Sequence, residues 1–520
     1  MIIISFQLFS NEWIKFVAFF IAIFILIGIA EFFRSKLKWR PEASRKLVHV
    51  IVGLVVSISP LIFTSNIQPM TLAGIFIVVN SFTLKSNAFK SMHTAERTTY
   101  GTVYFPFAFL VLAAFYWEKP ITLILSMLVM TISDTLATYT GEREKLPIKF
   151  RLWNDQKTLQ GSAAMFLSTF LIIYVGTDFF AWFFDAAFFL PMGILIGCAV
   201  FTGIAVMFAE AISNKGSDNF SVPLITAGAY DIYLINYTHG TLPTLLLWTF
   251  SSAFVLIFTY KLKSLNAGGA AGAFIMGIFV FGTGGVQWIT PMLAFFILSS
   301  ILSKIGKKST EATQNGSRRN LVQVMANGGV PMMIALVNFY QPFHSAYILF
   351  LGAIAAATAD TWATEIGFFS RKKPRHIFKC NTVEKGASGG VTLLGFLGSF
   401  LGAGSIALIG GYWLSGGAVT GGVVTGGAVT GGMVAGDRLA AMAVLILAGF
   451  IGSLMDSILG GSVQAMFRCG VCNKETEKRI HCDVHADHIG GFKWLDNDGV
   501  NFVNTLVGVA VIGSFVILIK

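Results

Sequence analysis

Long apolar runs separated by short polar loops recur along this chain from end to end. Sixteen segments stand out: 13–33, 47–64, 70–84, 102–116, 120–140, 161–177, 188–210, 221–236, 241–260, 266–283, 289–303, 321–340, 345–369, 389–413, 438–460 and 500–519. Most approach the ~20 residues that carry a helix across a ~30 Å hydrocarbon core. They are apolar throughout, without the alternation of a barrel strand, and only helices or closed barrels satisfy the backbone in lipid. The pattern predicts an all-α polytopic membrane protein with about sixteen transmembrane helices. Segment 221–236 is the weakest of them and also fits a re-entrant helix.

Composition agrees. Of the 520 residues 55% are hydrophobic and 12% charged, half the ~25% of a soluble domain. The net charge of +11 does not point to nucleic acid, because Lys and Arg gather in short loops between the apolar runs. If loop 34–46 is cytoplasmic, alternation puts 85–100, 142–160, 211–219, 261–265, 304–320, 370–388 and 461–499 on the same side. The opposite loops, such as 65–69 and 341–344, carry almost no basic residues, as the positive-inside rule requires. Both termini then lie outside, and 1–33 reads as a first membrane helix, not a cleaved signal. The expected location is a bacterial plasma membrane.

One phrase is written twice. Residues 134–141 read D-T-L-A-T-Y-T-G and 360–367 read D-T-W-A-T-E-I-G, each ending an apolar run. Each is followed by a basic loop and a Lys-led turn, K-T-L-Q-G-S from Lys157 and K-G-A-S-G-G from Lys385, at offsets of 23 and 25 residues. Both phrases end segments running inward, so the halves are expected to be parallel repeats. The natural boundary is 261–265, giving domains 1–260 and 261–520.

A carboxylate in an apolar segment costs roughly 2.5–3.5 kcal/mol on insertion scales, so a duplicated one points to function. On a helix, Asp134, Thr138 and Gly141 share a face, as do Asp360, Thr364 and Gly367. Hard oxygen ligands at an interface suit Mg²⁺ together with substrate phosphates. The plain alternative is an aspartate snorkelling from a helix end. The Lys turns open helices whose first amides form a ready anion site, although neither is a Walker loop.

The ordered motifs of the first half resemble the phytol kinase and dolichol kinase family. They are Arg45-Lys46-x-x-His49, Arg97-x-x-Tyr100-Gly101, Asp134-Thr135-x-Ala137, Lys157-Thr158-x-x-Gly161-Ser162, and Glu210-Ala211 leading to Gly216-Ser217-Asp218-Asn219-x-x-Val222-Pro223. The second half is similar to the family containing plant phytyl-phosphate kinase, the domain-of-unknown-function 92 membrane proteins. Its motifs are Asn266-Ala267-x-Gly269, Gly316-x-Arg318-x-Asn320-x-x-Gln323 leading to Asn327, Asp360-Thr361-x-Ala363-Thr364-Glu365, Lys385-Gly386, Gly390, Asp456-Ser457-x-x-Gly460, Gln464 and Asp496-Asn497-Asp498-x-Val500-Asn501.

The resemblance implies a bifunctional kinase that phosphorylates a prenol (phytol, geranylgeraniol or farnesol) to the monophosphate and then the diphosphate. The donor would be CTP or another nucleoside triphosphate with Mg²⁺. Asp134 and Asp360 would hold the metal or accept the substrate proton, Lys157 and Lys385 would bind nucleotide phosphates, and Asp456 would add a metal ligand. Arg45, Lys46, Arg97, Thr135, Thr158, Gly161, Ser162, Asp218, Asn219, Arg318, Asn320, Asn327, Thr361, Gly386, Gly390, Asp496, Asn497 and Asp498 would complete the nucleotide sites. A lipid cytidylyltransferase and a secondary transporter with parallel repeats are the alternatives. No sequence signal bears on oligomeric state.

Two stretches remain. The Gly-rich low-complexity run 416–434 reads as an external loop. Residues 469–488 carry Cys469, Cys472 and Cys482 with His481, His485 or His488, a set that fits a structural Zn²⁺ folding the 461–499 loop over the second site, with His485 the expected fourth ligand. An unliganded loop and a redox pair are the alternatives.

Overall fold

The computed structural model describes residues 11–37, 41–86, 99–185, 189–308, 318–414 and 435–519. Arg97 and the Gly-rich run 416–434 lie outside the described residues. The chain divides into two compact units, Met1–Tyr237 and Thr238–Lys520.

The first unit begins with α1 (Glu12–Leu37), α2 (Pro41–Ser57), the single turn α3 (Ser59–Ile62), α4 (Ile67–Ser86) and α5 (Gly101–Phe115). Then come α6 (Pro120–Leu128), a π-helical turn over Val129–Ser133, and α7 (Asp134–Arg143). The hairpin β1 (Lys149–Phe150) and β2 (Lys157–Thr158) leads to α8 (Leu159–Phe183), α9 (Met192–Ala211) and α10 (Asp218–Thr238).

The second unit holds α11 (Leu242–Lys261), α12 (Ala267–Lys308), α13 (Leu321–Tyr340) and α14 (Ala346–Gly367). The hairpin β3 (Arg375–His376) and β4 (Gly390–Val391) precedes α15 (Leu393–Leu414) and α16 (Ala435–Ser462). Five short strands follow, β5 (Met466–Arg468), β6 (Glu475–Thr476), β7 (Ile480–His481), β8 (Val484–His485) and β9 (Asp487–Gly490), and α17 (Asn497–Ile519) closes the unit. The divide falls upstream of 260/261 because α11 packs on α12. Trp248 donates its indole N–H to the Gly277 carbonyl at 3.1 Å, and its ring stacks on Phe281.

Among the described residues, thirteen helical spans are long and apolar enough to cross a membrane. One of them covers two of the runs read from the sequence. Within α12, Gly285 sits at φ 67° and ψ −156°, a region essentially confined to glycine, and separates 266–283 from 289–303. α5 is shorter than a usual span, and the more polar α10 is not among the thirteen.

α14 forms the core of the second unit, with Ala355–Ala359 buried throughout. The neighbouring helices reach its backbone through glycines. A Cβ on Gly402 of α15 would stand 2.9 Å from the Thr358 carbonyl oxygen. One on Gly449 of α16 would stand 3.0 Å from that of Ala355, and one on Gly508 of α17 2.4 Å from that of Gly352. Small residues are the usual means of close helix association in lipid, where apolar burial gives no drive. In the first unit α6 and α7 have the same place: a Cβ on Gly161 of α8 would lie 2.9 Å from the Ala137 carbonyl oxygen.

The duplicated phrase has a duplicated setting. β1 pairs antiparallel with β2, and β3 with β4. In each unit a threonine then caps the next helix. Gly161 N–H donates to Thr158 Oγ1 at 3.1 Å, and Gly395 N–H to Thr392 Oγ1 at 2.9 Å. Gly395 meets the Ala363 carbonyl as Gly161 meets that of Ala137. The matching turns are therefore Thr158-Leu159-Gln160-Gly161 and Thr392-Leu393-Leu394-Gly395. That register puts Lys157 opposite Val391, not Lys385.

Gly389 joins the β3–β4 turn to α16. It takes φ 71°, and a Cβ there would meet Gly461 Cα at 2.5 Å. Gly389→Ala is expected to destabilise the protein by about 1–3 kcal/mol, read as a lower unfolding midpoint in detergent. Gly404→Ala, where nothing lies within 4 Å of the added Cβ, serves as the matched control and should not lower it.

Candidate functional site

In the first unit three helices bring carboxylates to Lys157. Asp134 opens α7 directly after the π turn, Glu210 closes α9, and Asp218 opens α10. Lys157 Nζ lies 2.6 Å from Glu210 Oε1 and 3.6 Å from Asp218 Oδ2, and donates to Ser213 Oγ at 2.8 Å. Ser213 Oγ in turn donates to Asp218 Oδ2 at 3.3 Å. Asp134 is within electrostatic reach of Asp218, Lys157, Glu210 and Lys46. Burial opposes the charge on Lys157, but Glu210 and Asp218 outweigh it and hold the ammonium above the usual lysine range. Among the described residues, Glu210, 7% exposed, keeps Oε2 buried with no hydrogen-bond partner, and Ser162 Oγ at the start of α8 likewise has none.

Other residues expected at this site shape it. Thr158 caps α8, while Thr135 and Thr138 bond back to the carbonyls of Thr131 and Asp134 at 2.8 and 2.9 Å. Asn219 donates Nδ2 to the Gly216 carbonyl at 3.3 Å. Gly216 takes φ 86° and packs so tightly on Thr99 and Gly101 that a Cβ would fall 2.7 Å from the Gly101 nitrogen. Lys46 pairs with Glu142 at 2.5 Å, and Arg45 is exposed on α2. The His49 ring sits 3.4 Å from the Met130 carbonyl oxygen and edge-on to Phe105.

The second unit places carboxylates at the corresponding points but, among the described residues, no lysine with them. Asp360 lies near the end of α14, Asp456 near the end of α16 and Asp498 in the first turn of α17. Asp360 and Asp456 lie within hydrogen-bonding reach of each other. Asp456 also feels Glu477, and so does Asp498. Asp456 Oδ1 is buried without a partner among the described residues. Hard oxygens brought together, one of them orphaned, fit a divalent cation.

Lys385 is not part of this cluster. Its Nζ donates to the carbonyls of Phe368 at 2.9 Å and Ser370 at 2.7 Å, closing the C-terminus of α14. The turn contributes Ser388 instead, whose hydroxyl donates to the Glu477 carboxylate. Gly386 takes φ 85°, and Gly390 fits under the Ala387 carbonyl. Thr361 bonds back to Ala357 at 2.9 Å.

Several polar motifs of this unit have structural roles. Asn320 and Gln323 form a reciprocal capping box on α13, and Asn327 donates to the Gln323 carbonyl at 2.9 Å. Asn266 caps α12 through Gly269 N–H at 2.7 Å, and Asp496 caps α17 through Gly499 N–H at 3.0 Å. Asn497 and Asp498 supply the first turn of that helix. Arg318 lies over Tyr260 at 5.9 Å, and Arg319 over Phe295 at 5.6 Å.

Glu477 and Ser213 are site residues that the sequence reading passed over, since one acid or hydroxyl in a polar loop carries no signal. Glu210 had one, a carboxylate closing an apolar run. In the loop after α16, the ligand atoms of Cys469, Cys472, His481 and Cys482 all lie within 4.8 Å of one another. His481 thus takes the place expected of His485, which lies on the other strand of the β7–β8 hairpin.

Protein PGR of Arabidopsis thaliana is 32% identical over 275 residues, 49% of this chain and 90% of that protein. Protein VTE6, chloroplastic, of the same plant is 25% identical over 49% of this chain and 66% of its own length. Phytol kinase 1, chloroplastic, also from Arabidopsis thaliana, is 29% identical over 35% of this chain and 64% of its own. No solved structure matches. The profile of the family described as Integral membrane protein DUF92 matches residues 250–509, half of the chain, and the protein belongs to that family.

Proposed function

We propose that this protein is a bifunctional membrane isoprenoid kinase, converting a prenol to its monophosphate in the first unit and the monophosphate to the diphosphate in the second. The observation that carries this reading is the doubled arrangement of a carboxylate on a largely buried span beside a Thr-capped helix N-terminus. Capped first turns present amides to phosphate oxygens, and phosphoryl transfer is mainly positioning and charge neutralisation. Similarity to a phytol kinase supports the reaction class.

In the first site the prenol oxygen bonds to the γ-phosphorus of CTP. The bond from that phosphorus to the bridging oxygen breaks, and CDP leaves. The hydroxyl proton passes to a carboxylate, a role we assign to Asp134. Lys157, held protonated by Glu210 and Asp218, faces the phosphates as a fixed charge. Mg²⁺ held by Asp134, Glu210 and Asp218, and by Asp360 and Asp456 in the second unit, would neutralise phosphate oxygens. In the second site the nucleophile is itself an anionic phosphate oxygen, so no proton need be removed. That agrees with a carboxylate cluster built for metal instead of for a base. The prenyl tail would stay among the apolar helix faces, with both sites at the cytoplasmic surface of a bacterial plasma membrane.

The test uses detergent-purified protein with Mg²⁺, γ-labelled CTP and phytol, geranylgeraniol or farnesol. Wild type should yield labelled diphosphate. Asp360→Asn should stop at monophosphate, and Asp134→Asn should give neither product from the alcohol, each step falling about 10²-fold or more. Pyrophosphate release with a CDP-lipid product would replace this reading with a cytidylyltransferase. Ion-coupled flux without nucleotide turnover would replace it with a transporter.

The lysines separate in the same assay. Lys157→Met should lower the first step about 10²-fold. Lys385→Met should keep both steps and lose about 0.3–1 kcal/mol of stability, the worth of a cation at a helix C-terminus. Equal loss of activity in both variants would restore Lys385 as a phosphate ligand.

A further inference from the structure

The loop between α16 and α17 carries chemistry that phosphoryl transfer does not use. β5 runs into Cys469-Gly470-Val471-Cys472, a knuckle closed by two backbone bonds. Asn473 N–H donates to the Cys469 carbonyl at 2.9 Å, and Cys469 N–H to the Lys474 carbonyl at 3.0 Å. The β7–β8 hairpin turns at Cys482 (φ 51°) and Asp483 (φ 59°), consecutive left-handed residues of the kind that close two-residue hairpins. That turn brings His481 and Cys482 to the knuckle.

Cys472 Sγ lies 3.5 Å from His481 Nδ1, and Cys482 Sγ lies 3.3 Å from it. A thiolate and an imidazole nitrogen on one tetrahedral zinc, at about 2.3 and 2.0–2.1 Å from the metal, stand roughly 3.5 Å apart. Three sulfurs and one nitrogen, with no carboxylate in the set, select zinc over the hard cations.

The fold around this set is thin. The strands of the loop are two to four residues long, and short hairpins are marginal in water without a further tie. Glu477 lies between Cys472 and His481 in sequence, directly after β6. Its carboxylate receives the Ser388 hydroxyl and interacts with Asp456 and Asp498.

We propose that Cys469, Cys472, His481 and Cys482 bind one structural zinc ion, and that this ion holds Glu477 against the second carboxylate site. The metal site stands on its own geometry, while its effect on the second phosphorylation rests on the function proposed above.

The full-length chain, purified in detergent after growth with zinc, is expected to contain about one zinc per chain by elemental analysis. Co²⁺ exchanged into it should give the visible d–d and thiolate charge-transfer bands of a tetrahedral site. Cys472→Ser and His481→Ala should lose the metal, and His485→Ala should keep it. No zinc in the wild type and no Co²⁺ bands would overturn the site. Metal lost from His485→Ala but kept by His481→Ala would overturn this ligand set.

Coupling to Glu477 is read on wild-type protein stripped with a chelator, which avoids variants that fail to fold. Amide hydrogen exchange should rise at least about tenfold over 475–480 and 386–390, and fall again when Zn²⁺ is restored. Unchanged exchange would overturn the coupling. In the kinase assay, stripped protein should make monophosphate but little diphosphate. If zinc-loaded protein makes neither product, the functional reading fails and the metal site does not.

Discussion

Everything at the two sites depends on bringing carboxylates to the ends of enclosed apolar helices without a wide gap between backbones. The chain does this with very small residues. α14 presents alanines where Gly402, Gly449 and Gly508 approach its carbonyls, and α7 presents Ala137 to Gly161. Such contacts bring neighbouring helices so near that groups at their ends meet across them. Asp360 reaches Asp456 because α14 and α16 are packed through Gly449 and Gly452. Larger side chains at those positions would part the helices before they parted the acids.

This packing also explains the form of the repeated phrase. The alanine of D-T-x-A is the surface against which the glycine of T-L-x-G rests, and the threonine of that second phrase caps the helix carrying the glycine. Motifs that read as nucleotide ligands thus divide into two kinds. Asp134, Glu210 and Asp218, with Asp360 and Asp456, present charge. Thr158, Gly161, Asn320 and Asp496 hold helix ends so that the charge falls in the right place. The hydrogen bonds of the second group are made within the protein.

The all-α membrane fold was legible in the sequence because apolar runs of spanning length admit few other structures in lipid. The aspartates were legible for the same reason, since a carboxylate stands out against an apolar background. The register of the turns was not. Lys385 followed by Gly386 looks like Lys157 followed by a small-residue turn, yet the second connection is longer, and the equivalent of Thr158 is Thr392. Spacing could not choose between His481 and His485 either, because a two-residue hairpin puts them on opposite strands. Glu477 was hidden because its partners, Ser388 and Asp456, are distant in sequence.

The two units also differ in the positive charge their own residues supply. Lys157 is part of the polypeptide and is made with it, at a fixed ratio and a fixed position. The second unit has Val391 in that register and a further acid in Glu477. Under the function proposed above, the first site would add a built-in lysine to its metal ion, while the second would draw all of its counter-charge from solution. The charge balance of the second site would then follow the cell's ion pool, whereas the first would keep its lysine at any ion concentration.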